Sequence, residues 1–149
     1  HRCCRRQRQM CIRDSFKLEL LQAEHDFDAH TFRIALYSSA ASLGADTTVY
    51  STANEITNTS GTAYTAGGKP LTVTSTFPKT SGTTAIVDFD NISWTDASFT
   101  ARGALIYNAS ASNKAVAVLD FGSDRVASNS TFEIQFPVAD ATSAIIRIA

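Results

Sequence analysis

Any chemistry in this chain would have to come from a few short clusters. His25-Asp26-Phe27-Asp28-Ala29-His30 places four potential ligands within six residues, a density that invites a divalent-metal assignment. A polar turn closing a helix explains the same residues without an ion, because Asp carboxylates commonly accept from nearby backbone N–H groups. Nothing else in the chain supplies partners to complete a closed coordination sphere, so no metal is expected. Asp88, Asp90 and Asp96 gather around Trp94, and two carboxylates on one sheet edge could do acid–base work on a sugar. The plainer reading is solvent-facing Asp at a strand end, with Trp94 half-buried as a core or interface anchor. A Ser-His-Asp set is excluded, since no G-x-S-x-G elbow occurs and His25 and His30 share one turn. Gly67-Gly68-Lys69 resembles a phosphate loop only superficially, because the upstream Gly spacing is missing and Pro70 stands where Ser or Thr is required. Asn58-Thr59-Ser60 and Asn108-Ala109-Ser110 match the glycosylation triplet, a pattern too short to weigh in a chain so rich in Ser and Thr. The expectation is therefore a protein with no catalytic residues, no cofactor and no metal, and not an enzyme.

The first fourteen residues differ in character from all that follow. His1 to Asp14 holds five Arg, the three Cys and the one Met of the chain. A basic arm could bind nucleic acid, and Cys3-Cys4 could bind metal. The run Arg5-Arg6-Gln7-Arg8-Gln9-Met10-Cys11-Ile12-Arg13-Asp14 is, however, similar without a mismatch to the translation of a common transposon-tagging sequencing adapter. His1 would then derive from the outer primer and Arg2, Cys3 and Cys4 from an index barcode. On that resemblance the segment is set aside before fold reasoning, and it is expected to pack against nothing. The true start upstream of Ser15 is then missing. Setting aside five Arg and one Asp reduces 13 basic and 14 acidic residues to 8 and 13, and the net charge moves from −1 to −5. The basic arm vanishes, and with it the reason to expect nucleic acid, which needs clustered Lys and Arg. No cysteine remains for a disulfide or thiolate site.

The elements that would have to position any site read mostly as strands. The length from Ser15 to Ala149 suits one domain, able to bury roughly 65–70% of its unfolded surface. No apolar run approaches the ~20 residues that span a bilayer, and no membrane association is expected. Dense β-branched residues favour strands. Ser15 to Glu24 predicts the one helix, with Ser15 as N-cap and Phe16, Leu20 and Ala23 at helical spacing. From Thr31 the period becomes two: Phe32, Ile34 and Leu36 alternate with Arg33, Ala35 and Tyr37, which predicts a half-buried strand. Ser38 to Gly68 predicts a long loop. Further strands are predicted near Lys69–Phe77, Thr83–Phe89, Phe99–Tyr107, Lys114–Phe121, Thr131–Phe136 and Ala144–Ile148. This spacing is that of an all-β protein, a β-sandwich or jelly-roll-like single domain with one short N-terminal helix.

Five segments carry a family resemblance: Ser15 to Leu21, Thr31 to Tyr37, Tyr64 to Lys69, Ala101 to Asn108, and Asn113 to Phe121. Through them the stretch from Ser15 to Ala149 resembles a family of small structural proteins of tailed phages. Pro70 departs from that pattern where a strand-compatible Thr is expected, which puts the start of that strand in question. The resemblance implies a non-enzymatic virion component, assembled in the bacterial cytoplasm, that binds other virion proteins and self-associates as a homo-oligomer. Capsid decoration is the expected placement. The alternative is a tail-associated module whose loops present Trp94 and its Asp neighbours to a host glycan. Tyr37, Tyr50, Tyr64, Trp94 and Tyr107 are the aromatics expected to anchor an interface, or else to be core.

Overall fold

The computed structural model describes residues 10–12, 14–44, 46–57, 63–74 and 76–149. In chain order the elements are β1 (Met10–Ile12), α1 (Asp14–Leu21), β2 (Phe32–Tyr37), β3 (Lys69–Pro70), β4 (Lys79–Ser81), β5 (Thr84–Val87), β6 (Ile92–Asn108), β7 (Lys114–Ile134) and β8 (Ile146–Ile148). The fold is all-β with one short helix. A five-stranded sheet has the order β1-β7-β6-β2-β3 and a three-stranded sheet the order β4-β5-β8, with every pairing antiparallel.

Alternation along β2 sends Phe32, Ile34 and Leu36 into a core shared with Ile106 of β6, Val116 of β7, Val87 of β5 and Ile146 of β8. Phe16 of α1 caps the same core with no exposed surface. Each such side chain contributes on the order of 1.5–3 kcal/mol by leaving water, so the two sheets and the helix are joined by one apolar interior. The opposite face of β2 is not half-buried as alternation predicts. Ala35 and Tyr37 pack with Leu105, Tyr107, Ala115 and Val118 beneath Ala41, Leu43 and Tyr50 of the long loop. That loop is fastened to the sheet by backbone bonds from Ile56 N to Leu36 O (2.9 Å) and Ala115 N to Thr48 O (2.8 Å).

Several boundaries differ from expectation for local reasons. The helix ends at Leu21 rather than Glu24 because Ala23 takes a left-handed φ of 58°. Ala23 N then bonds Leu20 O and Glu24 N bonds Glu19 O, which satisfies the last carbonyls in a Schellman arrangement. The segments Lys114–Phe121 and Thr131–Phe136 belong to one strand, β7, which ends at Ile134. The turn-forming residues between them make bulges instead of reversals, with φ 76° at Gly122 and 46° at Asn129, and the register with β6 shifts nearby. Among the described residues of the strand predicted over Lys69–Phe77, only Lys69–Pro70 is regular, followed by a single bridge from Val73 to Phe89. Met10–Ile12 pairs with Ala117–Leu119 and Asp14 opens α1, which corrects the expectation that this segment packs against nothing. A strand edge bonds through backbone, so it accepts a sequence of any origin. Cys3, Cys4, the remainder of the run to Gln9 and the Asn58 triplet lie outside the described residues.

Candidate functional site

The four tyrosines of the chain converge on one carboxylate. Glu55, 6% exposed, sits on the covering loop and bridges to Tyr37 of β2. Its Oε2 accepts from the Tyr50 hydroxyl at 2.6 Å, and its Oε1 accepts from the Tyr64 hydroxyl at 2.6 Å and from Gly67 N at 2.7 Å. The Tyr64 hydroxyl in turn accepts from Leu36 N at 3.0 Å. Tyr37 donates to Ser51 O at 2.6 Å and Tyr107 to Gly67 O at 2.8 Å, while the Tyr50 and Tyr107 rings stack with centroids 4.5 Å apart. Arg33 completes the cluster by donating to Gly67 O and Gly68 O.

These bonds dictate what the cluster can do. Burial, with the neighbouring Glu55 charge, pushes the hydroxyls of Tyr37, Tyr50 and Tyr64 well above the ordinary tyrosine range, so all three remain neutral donors. A carboxylate with three donors and almost no exposed surface meets no outside substrate. The cluster is a clamp: it fixes the loop ends to β2 and β6. Tyr37, Tyr64 and Tyr107 are at most 3% exposed and Tyr50 is half-buried. Trp94, at 1% exposed, lies within β6 among Tyr64, Phe132 and Phe99. As interface anchors, Tyr37, Tyr64, Trp94 and Tyr107 are therefore corrected to interior residues, and Tyr50 is tied down by Glu55. The tyrosine hydroxyls serve internal hydrogen bonds. Glu55 escaped the sequence reading, although it is the one acid between Asp46 and Asp88 in a loop otherwise dominated by uncharged residues.

The other clusters are equally occupied. His25 bonds Glu19 through Nε2 at 2.9 Å, and the Asn108 amide nitrogen lies 3.1 Å from His25 Nδ1 and 2.9 Å from His30 Nδ1. Asn108 Oδ1 accepts from Ser110 N and Ala111 N, so this buried amide ties the β6–β7 turn to the segment after α1. Asp26 Oδ1 accepts from Asp28 N and Ala29 N, the polar turn that competes with the metal assignment. Among the described residues no group of three or more His, Cys, Asp or Glu is placed to hold a metal ion. Asp90 accepts from the Thr74 hydroxyl and Asp96 is exposed at a bulge with φ 52°. Asp88 is 2% exposed, and among the described residues its Oδ2 has no hydrogen-bond partner, nor does Trp94 Nε1. Gly67-Gly68 serves as a tight approach rather than a phosphate cradle: a Cβ at Gly68 would collide with the Ile34 carbonyl, and its φ is 66°.

No family model, curated protein or solved structure matches this chain. The chain's own surfaces therefore carry the functional reading. The feature that sequence reasoning missed is an open groove of about 1350 Å³ along β7, lined by Phe121, Arg125, Val126, Phe132 and Glu133 and also by Ser143–Ile145 and Arg147. Among the described residues no helix is long and apolar enough to cross a membrane.

Proposed function

We propose that this chain is a non-enzymatic structural protein of a tailed-phage particle, a rigid β domain acting through protein–protein contacts, with decoration of the capsid as its placement. The observation that carries the reading is the clamp at Glu55. The polar cluster at Glu55 is spent on fixing a long Ser/Thr-rich loop to a sheet, leaving recognition to exposed strand edges and the groove beside them. The resemblance of Ser15 to Ala149 to phage structural proteins points the same way. A tail module stacking a host glycan on Trp94 is disfavoured by the burial of that ring. The test is co-sedimentation of the purified chain with tailed-phage capsid shells. Saturable pelleting at a fixed ratio to the shell protein is the expected result. A chain that stays in the supernatant at every concentration overturns the placement.

A further inference from the structure

Among the described residues the outer edge of β7, the one facing away from β6, is covered only in part. Ala115 N and Asn113 O are bonded by Thr48 and Tyr50 of the long loop, and β1 lies against Ala117–Leu119. From Asp120 to Ile134 no described residue pairs with that edge. Residues 122–126 and 128–131 are exposed. β8 ends the smaller sheet in the same way, bonded to β5 on one side and to no described strand on the other, and the groove runs between these two ends.

An unpaired edge is a row of N–H and C=O groups ready for another strand, and protected edges usually carry charge, especially Lys, at their exposed positions. Here Val126 occupies such a position at 71% exposure. The charges around it are balanced: Lys17, Arg125 and Arg147 line the groove together with Asp120, Asp124 and Glu133. A surface with both signs is complementary to itself across a two-fold axis. β1 adds a direct precedent, since a segment similar to translated adapter pairs with the neighbouring stretch of this edge, so the edge selects by backbone and not by a tailored sequence.

We propose that β7 between Arg125 and Ile134 is a self-association edge that pairs antiparallel with the same segment of a second copy of this chain. The bulge at Asn129 divides it into two runs. Across the two-fold, the run holding Arg125 in one copy faces the run holding Glu133 in the other, twice over. The inference deepens the particle-protein reading and rests on it by naming the copy-to-copy surface.

The experiment compares the full chain with Val126→Glu by light scattering after size exclusion and by amide hydrogen exchange. In the proposed pairing residue 126 stands opposite Glu133 of the other copy, so the substitution sets like charges against each other twice. Val126 is exposed, so the substitution leaves the core intact, and Val138→Glu, at a residue 74% exposed off this strand, is the control. The unsubstituted chain and Val138→Glu are expected to share a mass of at least two chains, with slowed exchange over Arg125–Ile134. Val126→Glu is expected to raise the dissociation constant by roughly tenfold or more, moving the mass toward the 16.0 kDa of one chain and losing that protection. An assembly whose mass and exchange are unchanged in Val126→Glu overturns the strand pairing alone. A single-chain mass for the unsubstituted protein overturns it too, and the particle-protein reading then stands or falls on co-sedimentation.

Discussion

Glu55 gathers three donors from along the long loop: Tyr50, Tyr64 and the Gly67 backbone. Glu55→Ala leaves all three without an acceptor in a buried setting, at about 1–3 kcal/mol each. The expected loss is roughly 3 kcal/mol or more in urea denaturation, with faster amide exchange around Gly67. The same cluster sets an alkaline limit. Tyr37, Tyr50 and Tyr64 ionise less readily in the folded chain than at the ordinary 10.0, so the unfolded chain gives up its tyrosine protons first. Stability therefore falls as pH rises past about 10. In an absorbance titration tyrosinate is expected to appear together with unfolding, and independent ionisation of all four tyrosines near 10 would count against the clamp. Asp88 acts at the other end of the scale. Burial, with Asp90 nearby and against the bond from Phe89 N, raises its pKa above the ordinary 3.8. Its folded form binds a proton more tightly than its unfolded form, so the stability it contributes is complete below about pH 3.8 and is lost as pH rises through the raised value. Melting temperatures of Asp88→Asn measured from acid to neutral pH should show this decline flattened. An unchanged decline would place its origin elsewhere.

Glycines separate turn geometry from close packing along the elements. Gly122 has φ 76° and open space where a Cβ would stand, whereas Gly68 has φ 66° and the Ile34 backbone in the way. Gly122→Ala should cost about 1 kcal/mol from the left-handed backbone alone. Gly68→Ala adds a backbone clash and should cost roughly 3 kcal/mol or more; equal denaturation midpoints for the two would refute the close approach of loop and β2. This difference also explains what was readable in the sequence. Alternation at Phe32, Ile34 and Leu36 and the β-branched runs marked the strands and the core side of β2, because period and burial are local signals. Two things were not local. Gly122 and Asn129 carry turn chemistry, and only the long partner β6 turns those positions into bulges within one strand. The polar faces of Tyr37 and Tyr107 looked available to a partner because nothing local in the sequence shows that the loop after β2 folds back over both, and Glu55 gave no periodic signal of its own.

At the scale of the whole molecule, the surface divides into occupied and open parts. Tyr37, Tyr64, Tyr107, His25 and Asn108 are bound inside, while the outer edge of β7 beyond Leu119 and the groove beside it remain open among the described residues. On the reading proposed above, assembly uses the open part. The most direct test is the solution mass of the purified chain by light scattering after size exclusion, taken over a range of concentrations. Assembly through the β7 edge predicts a mass of at least two chains that persists on dilution into the micromolar range. A mass of 16.0 kDa at every concentration would contradict it.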